Sequence, residues 1–305
     1  MSVREKWRAA VVGLGNVGWG ALDAIDTAPD MELVGVVVRE HAVARVQKLL
    51  PPHLVVTTNI NDLKPVDVAI VAVPSRSVAV VAKPILAQGI CTVDSFDIHG
   101  RDLWRLRQQL DVAARNAGVV AISAAGWDPG TDSLLRAIFA LQAPRGITYT
   151  NFGPGMSMGH TVAAKKIAGV RNAMALTLPL GYGRHQRLVY IELVPGYDFT
   201  TVEAAIKKDP YFSQDDTRVE VVDDVGQLLD TGHGVMLERR GTAGKTANQV
   251  FRYTSRITNP ALTGQILVAA ARATQRLSAG AYTMLEVPLA HFLPGDLQTI
   301  VEEFV

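Results

Sequence analysis

Arg8-Ala9-Ala10-Val11-Val12-Gly13-Leu14-Gly15-Asn16-Val17-Gly18 is the stretch that decides the fold. An apolar strand runs into three glycines at GxGxxG spacing. Gly13 permits the tight turn, Gly15 lets the backbone approach a pyrophosphate, and Gly18 lets a helix pack closely on the strand. Free N–H groups and the dipole at a helix start favour phosphate, so Asn16 and Val17 complete the candidate site. A glycine triplet alone is weak evidence, because glycine-rich turns are common. Here a strand precedes it, a helical segment from Val17 to Ala28 follows, and a second apolar strand, Glu32 to Val38, arrives at the expected distance. The stretch therefore reads as a dinucleotide site opening a Rossmann-type sheet.

Outward from that turn, strands and helices alternate. Val66–Val73 reads as a buried strand, Ser77–Gln88 as a helix, Ile90–Val93 as a strand, Asp102–Ala117 as a helix and Val119–Ala125 as a strand. Apolar strands of this kind, alternating with helices, predict an α/β domain built on a doubly wound parallel sheet. After Gly130 the texture changes. A helix over Thr131–Leu141 precedes segments of alternating character, Arg187–Leu193, Thr217–Val222 and Val235–Arg239, which read as antiparallel strands of a second, α+β domain. The helical stretch Ala261–Arg276 is expected to close that domain. The expected division is 1–125 for dinucleotide binding and 126–281 for the second domain, with the tail 282–305 as a candidate to return to the first.

At 305 residues the chain has room for about two domains. Charged residues make up 19% and the formal net charge is +1, which offers no broad electrostatic case for nucleic acid or an anionic membrane surface. No run of ~18 apolar residues is present to span a bilayer. Met1–Arg8 leads straight into the first strand and leaves no room for a signal peptide, so a cytoplasmic location is expected. The one cysteine, Cys91, excludes an intrachain disulfide and reads as a buried structural thiol. No cluster has metal-ligand spacing.

The end of the second strand, Val36-Val37-Val38-Arg39-Glu40, bears on the cofactor. NAD sites usually carry an acid there for the ribose 2′-hydroxyl, whereas a guanidinium suits a 2′-phosphate. Arg39 is the better-placed group and favours NADP; the alternative is a solvated Arg39 with Glu40 on the ribose. Pro74 and Ser75, at the end of the strand Val66–Val73, complete the candidate cofactor contacts.

Further motifs come in order. Cys91-Thr92-Val93-Asp94-Ser95-Phe96-Asp97 ends one strand, and Gly126-Trp127-Asp128-Pro129-Gly130 makes a rigid turn at the end of the next. Phe152-Gly153-Pro154-Gly155-Met156-Ser157-Met158-Gly159-His160 is a glycine-rich loop. Thr177-Leu178-Pro179, Arg187, Thr231-Gly232-His233-Gly234 and Thr258-Asn259-Pro260 follow. In this order, and over nearly the whole chain, they resemble the meso-diaminopimelate dehydrogenase family. The resemblance implies NADP-dependent, reversible oxidative deamination of the D-centre of meso-2,6-diaminopimelate to L-2-amino-6-oxopimelate and ammonia. It further implies a substrate-binding second domain that forms a homodimer.

On the matching positions, the resemblance puts the carboxylates of Asp97 and Asp128 near the D-centre, with Trp127 beside them. Phe152 stands where some members have tryptophan, with Met158 and Gly159 in the same loop as substrate contacts. Thr177, Arg187, His233 and Asn259 match the group that grips the distal L-centre. Two departures stand out: Glu40 breaks the family's basic pattern after strand two, and the connection from Pro179 to Arg187 is short. The charges suit the ligand. Aspartates neutralise an ammonium and an arginine forks onto a carboxylate. A base must still take an ammonium proton and activate water, and Asp128 and Asp97 are both candidates.

Plainer roles exist for each residue. Trp127 could pack a domain junction, Asp128 and Asn259 could cap helices, His160 could orient its loop, His233 could sit in a surface turn, and Arg187 could belong to a solvated basic stretch with Arg184 and His185. Two other functions compete. A sugar dehydrogenase of the glucose–fructose oxidoreductase type wants Glu-Lys-Pro after the strand following Gly89, where this chain has Val93-Asp94-Ser95-Phe96-Asp97; Lys83-Pro84 comes one helix too early. A non-catalytic NADP-sensing protein would not need Asp97, Asp128 and Arg187 together.

Overall fold

The computed structural model describes residues 6–63, 65–228 and 232–305. The chain divides into two compact units, one of Met1–Leu135 with Pro260–Val305 and the other of Arg136–Asn259. The elements open with β1 (Trp7–Val12), α1 (Asn16–Thr27), β2 (Met31–Val37), α2 (Glu40–Gln47) and β3 (Val55–Thr57). There follow β4 (Val68–Val71), α3 (Val78–Leu86), β5 (Cys91–Asp94), α4 (Arg101–Ala117), β6 (Val120–Ser123) and α5 (Thr131–Gln142). Next come β7 (Arg145–Phe152), β8 (Gly155–Met156), α6 (Met158–Lys165), β9 (Val170–Gly181) and β10 (Arg184–Leu193). Then α7 (Phe199–Lys208), β11 (Asp216–Val221), β12 (His233–Ala243) and β13 (Thr246–Ile257) lead to α8 (Asn259–Thr274), β14 (Gly280–Thr283) and α9 (Leu297–Phe304).

In the first unit seven strands form one sheet in the order β14-β6-β5-β4-β1-β2-β3. Every pair in it is parallel. All four residues of β4 and the last four of β1 are buried, as strands covered on both faces must be. Strand order reverses between β1 and β4. The connections therefore leave the sheet in opposite directions there and open a crevice at the carboxyl ends. This is the predicted Rossmann-type sheet, with a second, smaller unit beside it in sequence.

The limits of the units differ from the expected 1–125 and 126–281. The Gly126–Gly130 turn and the start of α5 stay with the first unit, because the Ala125 N–H donates to the Asp94 carbonyl at 2.8 Å. Helix α8 was expected to close the second domain and instead belongs to the first. A methyl group on Gly264 of α8 would lie 2.3 Å from the Gly20 carbonyl carbon, so α8 crosses α1 almost backbone to backbone. Arg272 of α8 also forks onto Asp30, just before β2, at 2.5 and 2.7 Å. The tail then adds β14 to the sheet edge, Tyr282 opposite Ile122.

The second unit holds two sheets, β11-β10-β9-β8 and β13-β12-β7. β9 and β10 form a hairpin closed by Tyr182 and Gly183, both at positive φ (53° and 75°), the geometry of a two-residue hairpin turn. That turn is the short connection seen in the sequence. Asn151 of β7 ties it down by accepting the Gly183 N–H at 2.8 Å. β10 and β11, read as antiparallel, are parallel instead. The cause is α7, which carries the chain back across the sheet before β11 begins; parallel neighbours require such a crossover. Its Val202 and Ile206 bury against Ala173, Ala175, Val189 and Ile191 of β9 and β10.

Asp94 ends β5 fully buried, and its carboxylate accepts from the Phe96 N–H (3.0 Å), the Ser123 hydroxyl (2.8 Å) and the Ala124 N–H (3.2 Å). Burial pushes its carboxyl up to about 6 from the ordinary 3.8, against the pull of those three hydrogen bonds. A raised folded pKa means that folding favours the neutral form. That contribution is full below 3.8 and is lost as pH rises through about 6. Asp94→Asn keeps the shape without the charge. It should gain stability relative to the parent as pH rises from about 4 to 7, by on the order of 2 kcal/mol. Urea melts of both proteins at the two pH values measure this; a gap that stays constant would show that no ionised Asp94 is buried.

Candidate active site

At the carboxyl end of β1 the three glycines behave as their spacing predicted. Gly13 has φ +91°, and a side chain there would lie 2.5 Å from the Ala72 carbonyl oxygen of the neighbouring strand connection. A methyl on Gly18 would meet the Gly13 carbonyl at 2.3 Å, so α1 seats directly on the turn. Gly15 differs from both: a side chain on it would meet nothing within 4 Å. Gly15 caps α1 with no side-chain bond, and no acidic residue stands in the first turn. A helix start without acidic residues, beside the open Gly15, suits a pyrophosphate.

The turn forms one wall of a cavity of about 820 Å³. Val37–Arg39, the segment Ala72–Pro74, and Ser77 and Val81 make further walls. Arg39 lines it and Glu40 does not. Glu40 instead occupies the first turn of α2, where a carboxylate complements the helix dipole. Among the lining residues that sequence reasoning missed are His41, Ala42, Arg45 and Val46 on α2, and Thr58 after β3. Their signal was the i, i+4 spacing of His41 and Arg45. Ser75, expected to touch the cofactor, is engaged elsewhere. Its hydroxyl donates to Asp97 Oδ1 at 2.5 Å and accepts the Asp97 N–H at 3.1 Å.

The two carboxylate loops stand side by side at the ends of β5 and β6. Asp94 bridges them, and a methyl on Gly126 would lie 3.8 Å from Ser95 Cβ. The turn from Gly126 to Gly130 closes on itself. Gly130 has φ +146°, and a side chain there would lie 1.7 Å from the Gly126 oxygen, so no other residue fits. The first N–H groups of α5, on Thr131, Asp132 and Ser133, go to the carbonyls of Gly126, Trp127 and Gly130. The helix start is therefore satisfied by backbone and does not need the Asp128 carboxylate as a cap. Trp127 is buried, Asp128 half-buried and Asp97 exposed.

In the second unit, Thr177 and Arg187 face each other across β9 and β10. An Arg187 Nη1 N–H donates to the Thr177 hydroxyl, and Nε donates to Asp215 Oδ2 at 2.6 Å. Asp215, just before β11, was not foreseen; nothing in its local sequence marks it. Arg187 is only 12% exposed, so the solvated-face reading of it fails. Two histidines flank the pair. His185 Nε2 accepts the Phe152 N–H at 3.0 Å and so is neutral at that nitrogen. Burial first, then the Arg187 charge, holds His185 below its usual range. His160 Nδ1 bonds the Ser157 hydroxyl at 2.8 Å, and its ring meets Tyr211 and Phe212 edge-on. Burial and Arg187 also lower His160, with Asp215 opposing.

The remaining expected contacts are placed as follows. Gly159 lies close to Tyr211, at 3.5 Å from the position its Cβ would take. His233 opens β12, and burial lowers its pKa. Asn259 opens α8. The Met158 side chain and Thr231 fall outside the described residues. Lys83 and Pro84, the weak match to a sugar dehydrogenase, lie inside α3, where Lys83 Nζ donates to Gln109 at 2.9 Å. Burial raises the Cys91 thiol. Among the described residues, no group of three or more His, Cys, Asp or Glu is arranged to hold a metal. No helix among them is long and apolar enough to cross a membrane.

Comparison with known proteins settles the kinship. The model of the diaminopimelic acid dehydrogenase C-terminal domain matches residues 126–258. A meso-diaminopimelate D-dehydrogenase of Bacteroides fragilis is 52% identical over 301 residues, covering 99% of this chain and 100% of the relative. The chain belongs to the meso-diaminopimelate D-dehydrogenase family. Another relative of that name, from Lysinibacillus sphaericus, is 32% identical and covers 98% of this chain and 99% of its own. Among solved structures, a DAP dehydrogenase of C. glutamicum in complex with DAP is 29% identical with a TM-score of 0.81, covering 98% of this chain and 99% of that one. An engineered D-amino acid dehydrogenase bound to NADP+ is 28% identical with a TM-score of 0.74, covering 98% and 100%.

Within this family member, Asp215 is the added element of the Arg187 group. Asp215→Asn should leave a largely buried guanidinium without its counter-charge and destabilise the protein by about 1–3 kcal/mol. Because Asp215 raises the pKa of His160, its loss should also move the His160 titration to lower pH. Thermal melts and NMR titration of the His160 ring read the two effects separately. An unmoved His160 would mean that the carboxylate and imidazole are not electrostatically linked.

Proposed function

We propose that the protein is an NADP-dependent dehydrogenase that oxidatively deaminates the D-centre of meso-2,6-diaminopimelate, giving L-2-amino-6-oxopimelate and ammonia. The observation that carries this is the end-to-end match, at 52% identity, to a meso-diaminopimelate D-dehydrogenase. The cavity fits the cofactor: an open Gly15, an α1 start without acidic residues, and Arg39 in its lining. Gly13, Gly15, Asn16, Val17 and Gly18 would hold the pyrophosphate, with Arg39 on the 2′-phosphate and Pro74 along the wall. When bound, the nicotinamide supplies the acceptor for the hydride.

The chain's own residues handle charge and protons. Asp97, anchored by Ser75, offers its carboxylate to the reacting ammonium. Asp128 is assigned as the base on the resemblance of its turn to the family's, with Asp97 as the alternative. The reacting carbon loses a hydride and its nitrogen a proton; water then adds to the resulting iminium and the nitrogen leaves as ammonium, with one proton released overall. The second unit grips the distal end. On the family resemblance, Arg187, with Thr177, His233 and Asn259, takes the L-centre carboxylate, and Trp127, Phe152, Met158 and Gly159 are further substrate contacts. Asp215 uses only the Nε edge of Arg187, leaving N–H groups for a ligand carboxylate.

We also assign a homodimer formed through the second unit, in the cytoplasm. Ile147, Arg240 and Val250 lie in one row across β7, β12 and β13, with Ile147 60% and Val250 49% exposed. Apolar surface with paired charges beside it, Glu238 held by Arg240 and Arg252, suits a second copy of the chain.

Purified protein mixed with NADP and meso-diaminopimelate should generate NADPH absorbance at a rate that depends on both; absence of turnover despite NADPH binding would favour a sensor. Asp128→Asn should keep NADPH affinity and cut the deamination rate by roughly 10²–10⁴. Near-parental turnover in that variant would move the base to Asp97. Arg187→Met removes the distal charge and keeps much of the stem. Losing one partner of a buried charge pair costs about 2–5 kcal/mol, or roughly 30-fold to several-thousand-fold in affinity. A simple D-amino acid has no distal carboxylate and should suffer far less. The ratio of kcat/KM for the two substrates, in parent and variant, tests the distal grip. Equal losses on both would assign Arg187 to folding instead.

A further inference from the structure

We propose that Arg45, on α2, is the second cation of the 2′-phosphate site, replacing the basic residue that Glu40 displaces beside Arg39. This rests on the NADP reading above and names the residue that makes it work in this chain.

Three observations carry it. First, the face of α2 that lines the cofactor cavity consists of His41, Ala42, Arg45 and Val46, residues one helical turn apart in two pairs. Glu40, Val43 and Ala44 are not on that face. Second, Arg39 precedes α2 in extended conformation, so its side chain and that of Arg45 border the same cavity from the strand end and from the helix. Third, both guanidiniums are exposed, and no acidic side chain among the described residues pairs with either.

Charge decides the number of cations needed. A phosphate monoester carries about −1.5 to −2 at neutral pH. Arg39 alone brings one positive charge to the cavity wall, less than the phosphate carries. Arg45 brings a second positive charge and a second planar fork of donors. Thr58, after β3, lines the same cavity and adds a hydroxyl to its wall. The plain alternative is that Arg45 only complements the carboxyl end of α2, in whose last turn it stands. That role would affect stability and leave cofactor choice alone.

Calorimetric titration of the full chain with NADP and with NAD, without substrate, separates these. Arg45→Gln should weaken NADP roughly tenfold and leave NAD within about twofold, with an unchanged melting temperature. Arg39→Gln should behave alike, and Arg45→Lys should recover part of the loss, since it keeps the charge without the fork. NADP affinity unchanged in Arg45→Gln, or NADP and NAD weakened equally, would overturn the assignment. If the parent protein itself binds NADP and NAD equally, the cofactor reading fails first, and the Arg45 assignment falls with it.

Discussion

A single buried carboxylate, Asp94, holds the carboxyl ends of β5 and β6 together. Asp94 accepts from the loop that carries Asp97, through Phe96, and from the end of β6 that leads to Asp128, through Ser123 and Ala124. A charge without these donors would be expelled from such a place. With them it costs less, and the two strand ends are locked in register. Asp97 and the Gly126–Gly130 turn inherit their positions from that lock.

The second unit solves a similar problem with the opposite sign. Arg187 is nearly covered, and Asp215 and Thr177 satisfy part of its fork before any ligand arrives. A largely buried cation needs a resident partner, or its own desolvation would weaken the unit. The same partner aims the guanidinium, so the donors left over point in a fixed direction. His160 and His185 sit beside this charge, and burial together with Arg187 favours their neutral forms. For His185 that neutrality is functional, since its Nε2 must accept the Phe152 N–H. The site thus keeps one strong positive centre instead of three.

In the first unit the charges that follow β2 divide between the start of α2 and the cavity. Glu40, which looks like an NAD-type acid on paper, serves the start of α2 instead of the cavity. Helix α2 brings Arg45 to the wall of the cavity that Arg39 also lines. The short hairpin at Tyr182–Gly183 is a comparable economy. A two-residue turn does the work of a longer connection because Asn151 fastens it to β7.

The sequence by itself determined the glycine turn, the parallel sheet of the first unit and the two aspartate loops at its carboxyl edge. These depend on local rules: glycines at fixed offsets, apolar strands covered on both faces, and a Gly-Pro-Gly turn that admits one backbone course. Family kinship was also legible, since the motifs follow one another in a fixed order. Only the tertiary structure decided what depends on residues far apart in the chain. Arg187 and Asp215 are 28 residues apart, and Arg272 and Asp30 are 242 apart. No local pattern links such pairs. The same holds for α8, whose small residues read as a generic apolar helix. It belongs to the first unit because Gly264 and Gly20 let two backbones touch, a fit that exists only once both helices are in place. β10 and β11 likewise show the alternation of any half-buried strand; their parallel pairing was decided by the crossover of α7 between them.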